Sequence, residues 1–408
     1  MRLILILFLV LIVASCKDTP SREVSMKEDV TYLAADDLSG RETGTAFEKQ
    51  AAAYIADRFR DLGLQPKGSS EYIQEFNFKP STNPHQAAEV VEEQQDSMLT
   101  GRNVIAYIDN KAASTVVIGA HYDHLGLGGE GSLFREGDAI HNGADDNASG
   151  VAVVLKLAAE LRDKHTNNNY LFIAFSGEEM GLLGSNYFVK NPTIDLSSVN
   201  YMINLDMVGR LNEENTLAVH GVGTSPVFKQ TLFANNNLDL KIAEHESGVG
   251  PSDHTSFYIM DIPVLHFFTG QHADYHKPTD DAEKLNYQGM ETIATYLMNI
   301  IEDLDDNGKL AFRKTKDESE DVPRFKVALG VVPDYLYTGE GMRIDGVSED
   351  KPAQKAGLIK GDVVKKLGEH PITDMMSYMR ALSQFEEGQT TKVTVERNGQ
   401  ELEVEVTF

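Results

Sequence analysis

Val116-Val117-Ile118-Gly119-Ala120 is apolar at every position and breaks at His121-Tyr122-Asp123. The same design recurs twice. Leu171-Phe172-Ile173-Ala174-Phe175 gives way to Ser176-Gly177-Glu178-Glu179, and Tyr201-Met202-Ile203-Asn204-Leu205 gives way to Asp206. A strand without polar alternation is buried on both faces, as in a parallel sheet covered by helices. Between these runs Val151, Val154, Leu155, Ala158 and Leu161 recur at three- and four-residue spacing, a helical stripe. Working outward, strand-like runs at 103–108, 115–120, 170–175, 200–205, 216–219 and 264–268 interleave with helical patterns at 148–161, 181–189, 226–234 and 287–304. The prediction is an α/β fold, a mostly parallel mixed sheet sandwiched by helices. Residues 26–64 also read as helical, with Gly63 as the stop, and the polar, glutamine-rich stretch 80–100 reads as loop.

In open α/β sheets, sites form beyond the carboxyl ends of the strands. His121, Glu178-Glu179 and Asp206 each stand at such an end. Asp145-Asp146 sits in the glycine-flanked loop GADDNASG, and Tyr275-His276 in a polar loop. Two histidines and three acids suit two divalent cations if one acid bridges, because zinc accepts imidazole nitrogen and carboxylate oxygen. The pair Glu178-Glu179 permits a division of labour, one acid on metal and its neighbour taking a proton from the attacking water. Asp123, two residues beyond His121, could accept that ring's second proton.

The set HYDHLG, GADDNASG, FSGEEMGLLGS, NLDMVG and DYHKPTDD resembles the co-catalytic di-zinc aminopeptidase family, which includes bacterial leucyl aminopeptidases, glutamate carboxypeptidase II and the glutaminyl cyclases. The resemblance covers residues 26–304. It implies two Zn2+ per chain, with His121 and Asp206 on one, Glu179 and His276 on the other, and Asp146 bridging. It further implies Glu178 as general base, Asp123 as the partner of His121, a cis peptide after Asp146, and Tyr275 as a hydrogen-bond donor to the tetrahedral oxyanion. The interval 64–103 is too short for the inserted domain that many members carry, so loops such as 126–137 would shape the cleft. The absence of a defined arginine patch favours an aminopeptidase acting on peptide substrates. Alternatives are a single-zinc acyltransferase of the glutaminyl cyclase type, or a catalytically dead binding protein. Ser252-Asp253-His254 cannot be a triad of consecutive residues and reads as a loop near the site. His124 and His141 have no assigned role, and His220, His245, His266 and His272 read as structural or surface residues.

Residues 305–322 are charged and lack apolar periodicity, which predicts a linker. From 323 to 408 short alternating strands surround one helix, and Leu329-Gly330-Val331 with GVSEDKPAQKAGLIKGDVVKKLGEHPI resembles a PDZ domain of the bacterial protease type. That resemblance implies a C-terminal peptide ligand whose carboxylate is held by Leu329, Gly330 and Val331.

At the other end, Arg2 precedes the apolar run 3–14, too short to span a bilayer and suited to a secretory signal. Val13-Ala14-Ser15-Cys16 resembles a lipobox, which implies a signal peptide over residues 1–16, lipidation at Cys16 and a tether at 17–25. The location implied is the bacterial cell envelope, on an outer membrane, held through the lipid anchor only. Cys16 is the single cysteine, so an intramolecular disulfide and a cysteine-built zinc site are excluded. The formal charge of −26 would repel a phosphate backbone, which argues against nucleic acid as a partner.

Overall fold

Hydroxyl and amide caps start the helices where the apolar stripes begin. Ser25 accepts from the Glu28 N–H ahead of α1 (Met26–Leu33), and Thr45 accepts from the Glu48 N–H ahead of α2 (Ala46–Asp61). The computed structural model describes residues 24–80, 88–91, 98–129, 131–134, 136–162, 164, 167–315, 327–334, 337, 339–348 and 351–408. The signal peptide, Cys16 and most of the tether lie outside these residues. The helical reading of 26–64 needs correction, because the chain turns between α1 and α2. Ser39, Gly40 and Arg41 adopt positive φ (41°, 71° and 50°), which no continuous helix accommodates.

Ten strands of the described residues form one sheet: β1 (Gln65–Pro66), β2 (Ile73–Lys79), β3 (Glu89–Val90), β4 (Leu99–Ile108), β5 (Ser114–His121), β6 (Asn168–Phe175), β7 (Val199–Leu205), β8 (Thr216–His220), β9 (Lys241–His245) and β10 (Val264–Phe268). Their order is β3-β2-β4-β6-β5-β7-β10-β8-β9, with β1 beside β4. The centre is parallel: β6, β5, β7 and β10 run the same way. The flanks are not, since β4 is antiparallel to β6 and β2, and β8 to β10. The sheet is therefore mixed, as expected, with a parallel core and antiparallel flanks. Strand β2 shows why. It buries Phe76 and Phe78 and exposes Glu75 and Lys79, the alternation of a strand with one wet face. Nor is 80–100 loop throughout, because Glu89–Val90 and the start of β4 extend the sheet edge.

Helices α3 (Gly150–Leu161), α5 (Phe228–Ala234) and α7 (Tyr287–Asp305) join α1 and α2 on one face, against Val116, Ile118, Phe172, Ile203 and Phe267. Helices α4 (Leu183–Lys190) and α6 (His254–Tyr258) cover the other face, against Val117, Leu171, Met202 and Val264. Each large side chain so buried contributes about 1.5–3 kcal/mol. The chain past α7 does not leave at once. Leu310 is buried, Phe312 packs on Tyr258, and the N–H groups of Arg313 and Thr315 reach Thr224 and Tyr258. The linker expected over 305–322 is thus docked as far as residue 315.

The C-terminal region has its own sheet and core. β11 (Val331–Pro333), β12 (Met342–Val347), β13 (Val363–Leu367), β15 (Thr390–Arg397) and β16 (Gln400–Thr407) lie in that order, with β14 (His370–Pro371) on β13. Helices α8 (Pro352–Lys355) and α9 (Met375–Leu382) accompany it, and Leu329, Ile344, Val364, Leu367, Leu382 and Val395 fill its interior.

Candidate metal centre

Three parallel neighbours end side by side. His121 closes β5 opposite Phe175 of β6, Glu178 and Glu179 follow β6, and Asp206 follows β7. The sheet thus brings together residues far apart in sequence, and the loop 143–149 brings the fourth component. Gly143 (φ 55°) must be glycine, since a Cβ there would stand 2.2 Å from the Asp146 carbonyl oxygen. Asn147 Nδ2 donates to the Leu205 carbonyl, and Asn147 Oδ1 accepts from Met207 N and Gly150 N. Asp145 Oδ1 accepts from Gly209 N, and Ser149 Oγ from Val208 N. The residues around Asp146 therefore fasten its loop to the loop carrying Asp206. The Asp146–Asn147 peptide is cis, as the family resemblance implies.

Asp146 stands between two histidines. Its Oδ1 is 3.3 Å from His121 Nε2, which is 3.4 Å from Asp206 Oδ1. Its Oδ2 is 3.2 Å from His276 Nε2, which is 3.3 Å from Glu179 Oε2. One carboxylate thus offers an oxygen to each of two histidine–acid pairs, and imidazole nitrogen with carboxylate oxygen is a donor set that zinc accepts. His121, Asp146 and Asp206 lie close enough to hold an ion, as do His124, Asp146 and Glu179.

Both ligand-side imidazoles are oriented through their other nitrogen. His276 Nδ1 donates to the Gly131 carbonyl at 2.8 Å, so the glycine-rich loop aims Nε2 at the carboxylates. His121 Nδ1 lies 3.2 Å from the Asp123 carbonyl oxygen and 3.7 Å from its carboxylate. The sequence expectation placed the carboxylate there. Instead the backbone oxygen is nearer, and Asp123 Oδ1 accepts from Glu178 N at 3.2 Å, which positions the loop of the two glutamates. Asp280 does the same for Asp146, accepting from the N–H groups of residues 145 and 146. Arg41, fully buried, donates to the carbonyls of Leu33, Tyr122, Asn142 and Gly143, tying both histidine-bearing and acid-bearing loops to the end of α1.

The electrostatics divide the two glutamates. Burial pushes the Glu178 carboxyl well above its usual range; Asp206, Glu179 and Asp253 add to this, and His121 opposes it. Glu179 goes the other way, to about 2: burial would raise it, but His276 and a hydrogen bond from His124 outweigh that. Burial would also raise Asp146, yet the hydrogen bonds from His121 and His276 hold it well below the carboxylate range. Glu178 is the acid that holds a proton readily, and Glu179 and Asp146 are the anions.

Tyr275 stacks on His276 with ring centroids 3.8 Å apart and lines the cleft beside Met207 and Phe268. His124 was given no role from the sequence. Its Nδ1 lies 2.7 Å from Glu179 Oε1, so it orients the acid whose other oxygen faces His276. His220 and His266, read as structural, line the cleft.

Residues 103–301 match the model of Peptidase family M28, and residues 311–408 match that of the PDZ domain. The alkaline phosphatase isozyme conversion protein of Escherichia coli is 32% identical over 169 residues, 41% of this chain and 46% of that protein. A probable lipoprotein aminopeptidase, LpqL of Mycobacterium tuberculosis, is 31% identical over 198 residues, 45% of this chain and 37% of that protein. The chain thus spans less than half the length of these relatives. Among solved structures, a Zn-dependent exopeptidase from Parabacteroides distasonis superposes with a TM-score of 0.56 at 18% identity, covering 68% of this chain and 96% of that one. The glutaminyl cyclase of Porphyromonas gingivalis does so with a TM-score of 0.54 at 20% identity, covering 68% and 97%. At these identities the two superpositions speak for the fold alone.

Proposed function

We propose that the protein is a zinc aminopeptidase that removes the first residue of peptides, a reading supported by the match of residues 103–301 to the model of Peptidase family M28. The observation that carries the reading is the split of Asp146 between the two histidine–acid pairs. His121 and Asp206 would hold one zinc and Glu179 and His276 the other, with Asp146 between them. Two zinc ions bound there would polarise the scissile carbonyl and acidify water. Glu178 then takes the proton of the attacking water and delivers it to the departing amine. Burial raises its proton affinity, which favours its accepting that proton. Tyr275, on the cleft wall next to His276, donates its hydroxyl proton in a hydrogen bond to the developing oxyanion. Asp123 holds the Glu178 loop and, through its carbonyl, the tautomer of His121.

The C-terminal region carries a peptide-binding site of the PDZ kind. Among the described residues β11 pairs only with β12, so its other edge is open to an added strand. The burial of Leu329 and the turn at Gly330, at φ 79°, just ahead of β11 support a carboxylate-holding loop there. Lipidation of Cys16 would hold the enzyme to the outer membrane of a bacterial envelope. The sequence at Cys16 and the similarity to a probable lipoprotein aminopeptidase support this location. No helix among the described residues is long and apolar enough to cross a membrane.

Digestion of a peptide library with the zinc-loaded protein, read by mass spectrometry with and without chelator, tests the reading. Loss of amino-terminal residues that stops on chelation is the expected result. Carboxyl-end trimming, pyroglutamate formation or silence would each contradict it.

A further inference from the structure

Beyond the metal ligands, one wall of the cleft is built from histidine. His245, His220, His266 and His254 form a column of stacked rings, with successive centroids 4.3, 5.3 and 4.5 Å apart. They come from four separate places: the ends of β9 and β8, the middle of β10, and the start of α6. His266 pairs with His220 across the antiparallel β8–β10 ladder, which sets the spacing of the two. His220 and His266 line the same cleft as His121, Asp146, Glu178 and Glu179.

Two rings of the column are unsatisfied. Both ring nitrogens of His266 and both of His254 are buried without a hydrogen-bond partner, and so is Gln271 Oε1. His266 is 4% exposed, and both it and Gln271 line the cleft. Burial, together with the neighbouring imidazoles, pulls the proton affinity of His220, His254 and His266 down, so these rings are neutral at pH 7. A neutral imidazole offers one N–H and one lone pair. Leaving such groups buried and unpaired is unfavourable, and His266 and Gln271 present theirs to the cleft. An aliphatic guest would leave that cost in place. A carboxylate guest would bring an uncompensated charge against neutral rings. A carboxamide both donates and accepts, and so matches the set.

We propose that the wall of His220, His266 and Gln271 is the pocket for the side chain of the substrate's first residue, and that it selects asparagine or glutamine over leucine. The proposal rests on the aminopeptidase reading and narrows it to a substrate class. His266 and Gln271 are specificity residues here, because they touch the substrate side chain and leave the reacting bond to the metal side of the cleft. A site built to hydrogen-bond its guest discriminates strongly against an analogue that cannot do so.

The test uses the zinc-loaded full chain with a panel of aminoacyl-4-nitroanilides carrying asparagine, glutamine, leucine, methionine or aspartate. The expected kcat/KM for the better carboxamide exceeds that for leucine at least about tenfold, and His266→Phe, which keeps a stacked ring, cuts that ratio at least about tenfold. Gln271→Leu does the same and serves if His266→Phe fails to fold. Leucine turned over as well as either carboxamide by the wild type overturns the proposal, as does an unchanged ratio in the variants that fold. Calorimetric titration with free L-glutamine and L-leucine gives a reading independent of turnover. If no nitroanilide is cleaved, the aminopeptidase reading fails, and glutamine binding no more tightly than leucine then overturns this proposal as well.

Discussion

Replacing Arg41 by methionine should destabilise the protein by about 3–5 kcal/mol, because four carbonyls lose a buried charged donor. The guanidinium is completely buried, and burial lowers its pKa to about 10, so it stays charged at pH 7. It donates at 2.7 Å to Tyr122 O, at 2.6 Å to Asn142 O, at 3.0 Å to Gly143 O, and also to Leu33 O. Methionine keeps most of the volume and donates nothing. Four carbonyls then lose a charged donor, at about 1–3 kcal/mol each. Relief from desolvating the cation returns several kcal/mol, which leaves the net figure above. Thermal and urea unfolding of chelator-treated protein measure it without interference from metal loading. In a chain of this size the midpoint should fall by about 10 °C. Arg41→Lys, with a donor but no fork, should lie between the two. A loss below about 1 kcal/mol would refute the reasoning, because it would mean that these carbonyls find water or other donors without cost.

Glu178→Ala should keep its bound zinc yet lose about 10²–10⁴ in turnover, by metal analysis alongside nitroanilide kinetics, and normal turnover would remove Glu178 from the mechanism. His254 has its pKa lowered to about 3 by burial and His220, so the folded state binds fewer protons than the unfolded chain between about pH 6.5 and 3. Stability is therefore full above pH 6.5 and falls with pH below it, by about 1.4 kcal/mol per unit, in chelator-treated protein. In His254→Phe that slope should be shallower by one proton's worth, and identical urea midpoints from pH 6.5 to 4 would show the ring is not buried neutral. Gly330→Ala places a Cβ 2.1 Å from Lys351 Cβ at a φ of 79°. It should weaken binding of a C-terminal peptide at least about tenfold, read by fluorescence polarisation, if that loop holds the carboxylate.

The strand-end residues were legible because each follows an apolar run whose direction is fixed by its neighbours. His121, Glu178, Glu179 and Asp206 stand where β5, β6 and β7 end together. Asp146 and His276 lie in loops, and only the motif as a whole singled them out. What the sequence could not supply is which atom faces which. Asp123 lies at the expected place, with its carbonyl 3.2 Å and its carboxylate 3.7 Å from His121 Nδ1. His124 follows it directly, and only the backbone path turns its ring toward Glu179. His220 and His266 sit in short apolar strands, where a histidine looks like a core residue until β8 and β10 are paired. The alternation of Gln74, Phe76 and Phe78 is the signal for β2, and it is weaker than the fully apolar runs of the central strands. Residues 310–315 look like linker because they dock through two apolar side chains and backbone N–H groups, which leave no periodic trace.

Anomalous diffraction at the zinc edge, from crystals of the zinc-loaded protein, tests the central claim most directly. Two peaks about 3.5–4 Å apart are predicted, one beside His121 and Asp206 and the other beside Glu179 and His276, each within bonding distance of a different oxygen of Asp146. A single peak, or two peaks that leave Asp146 uncoordinated, would contradict it.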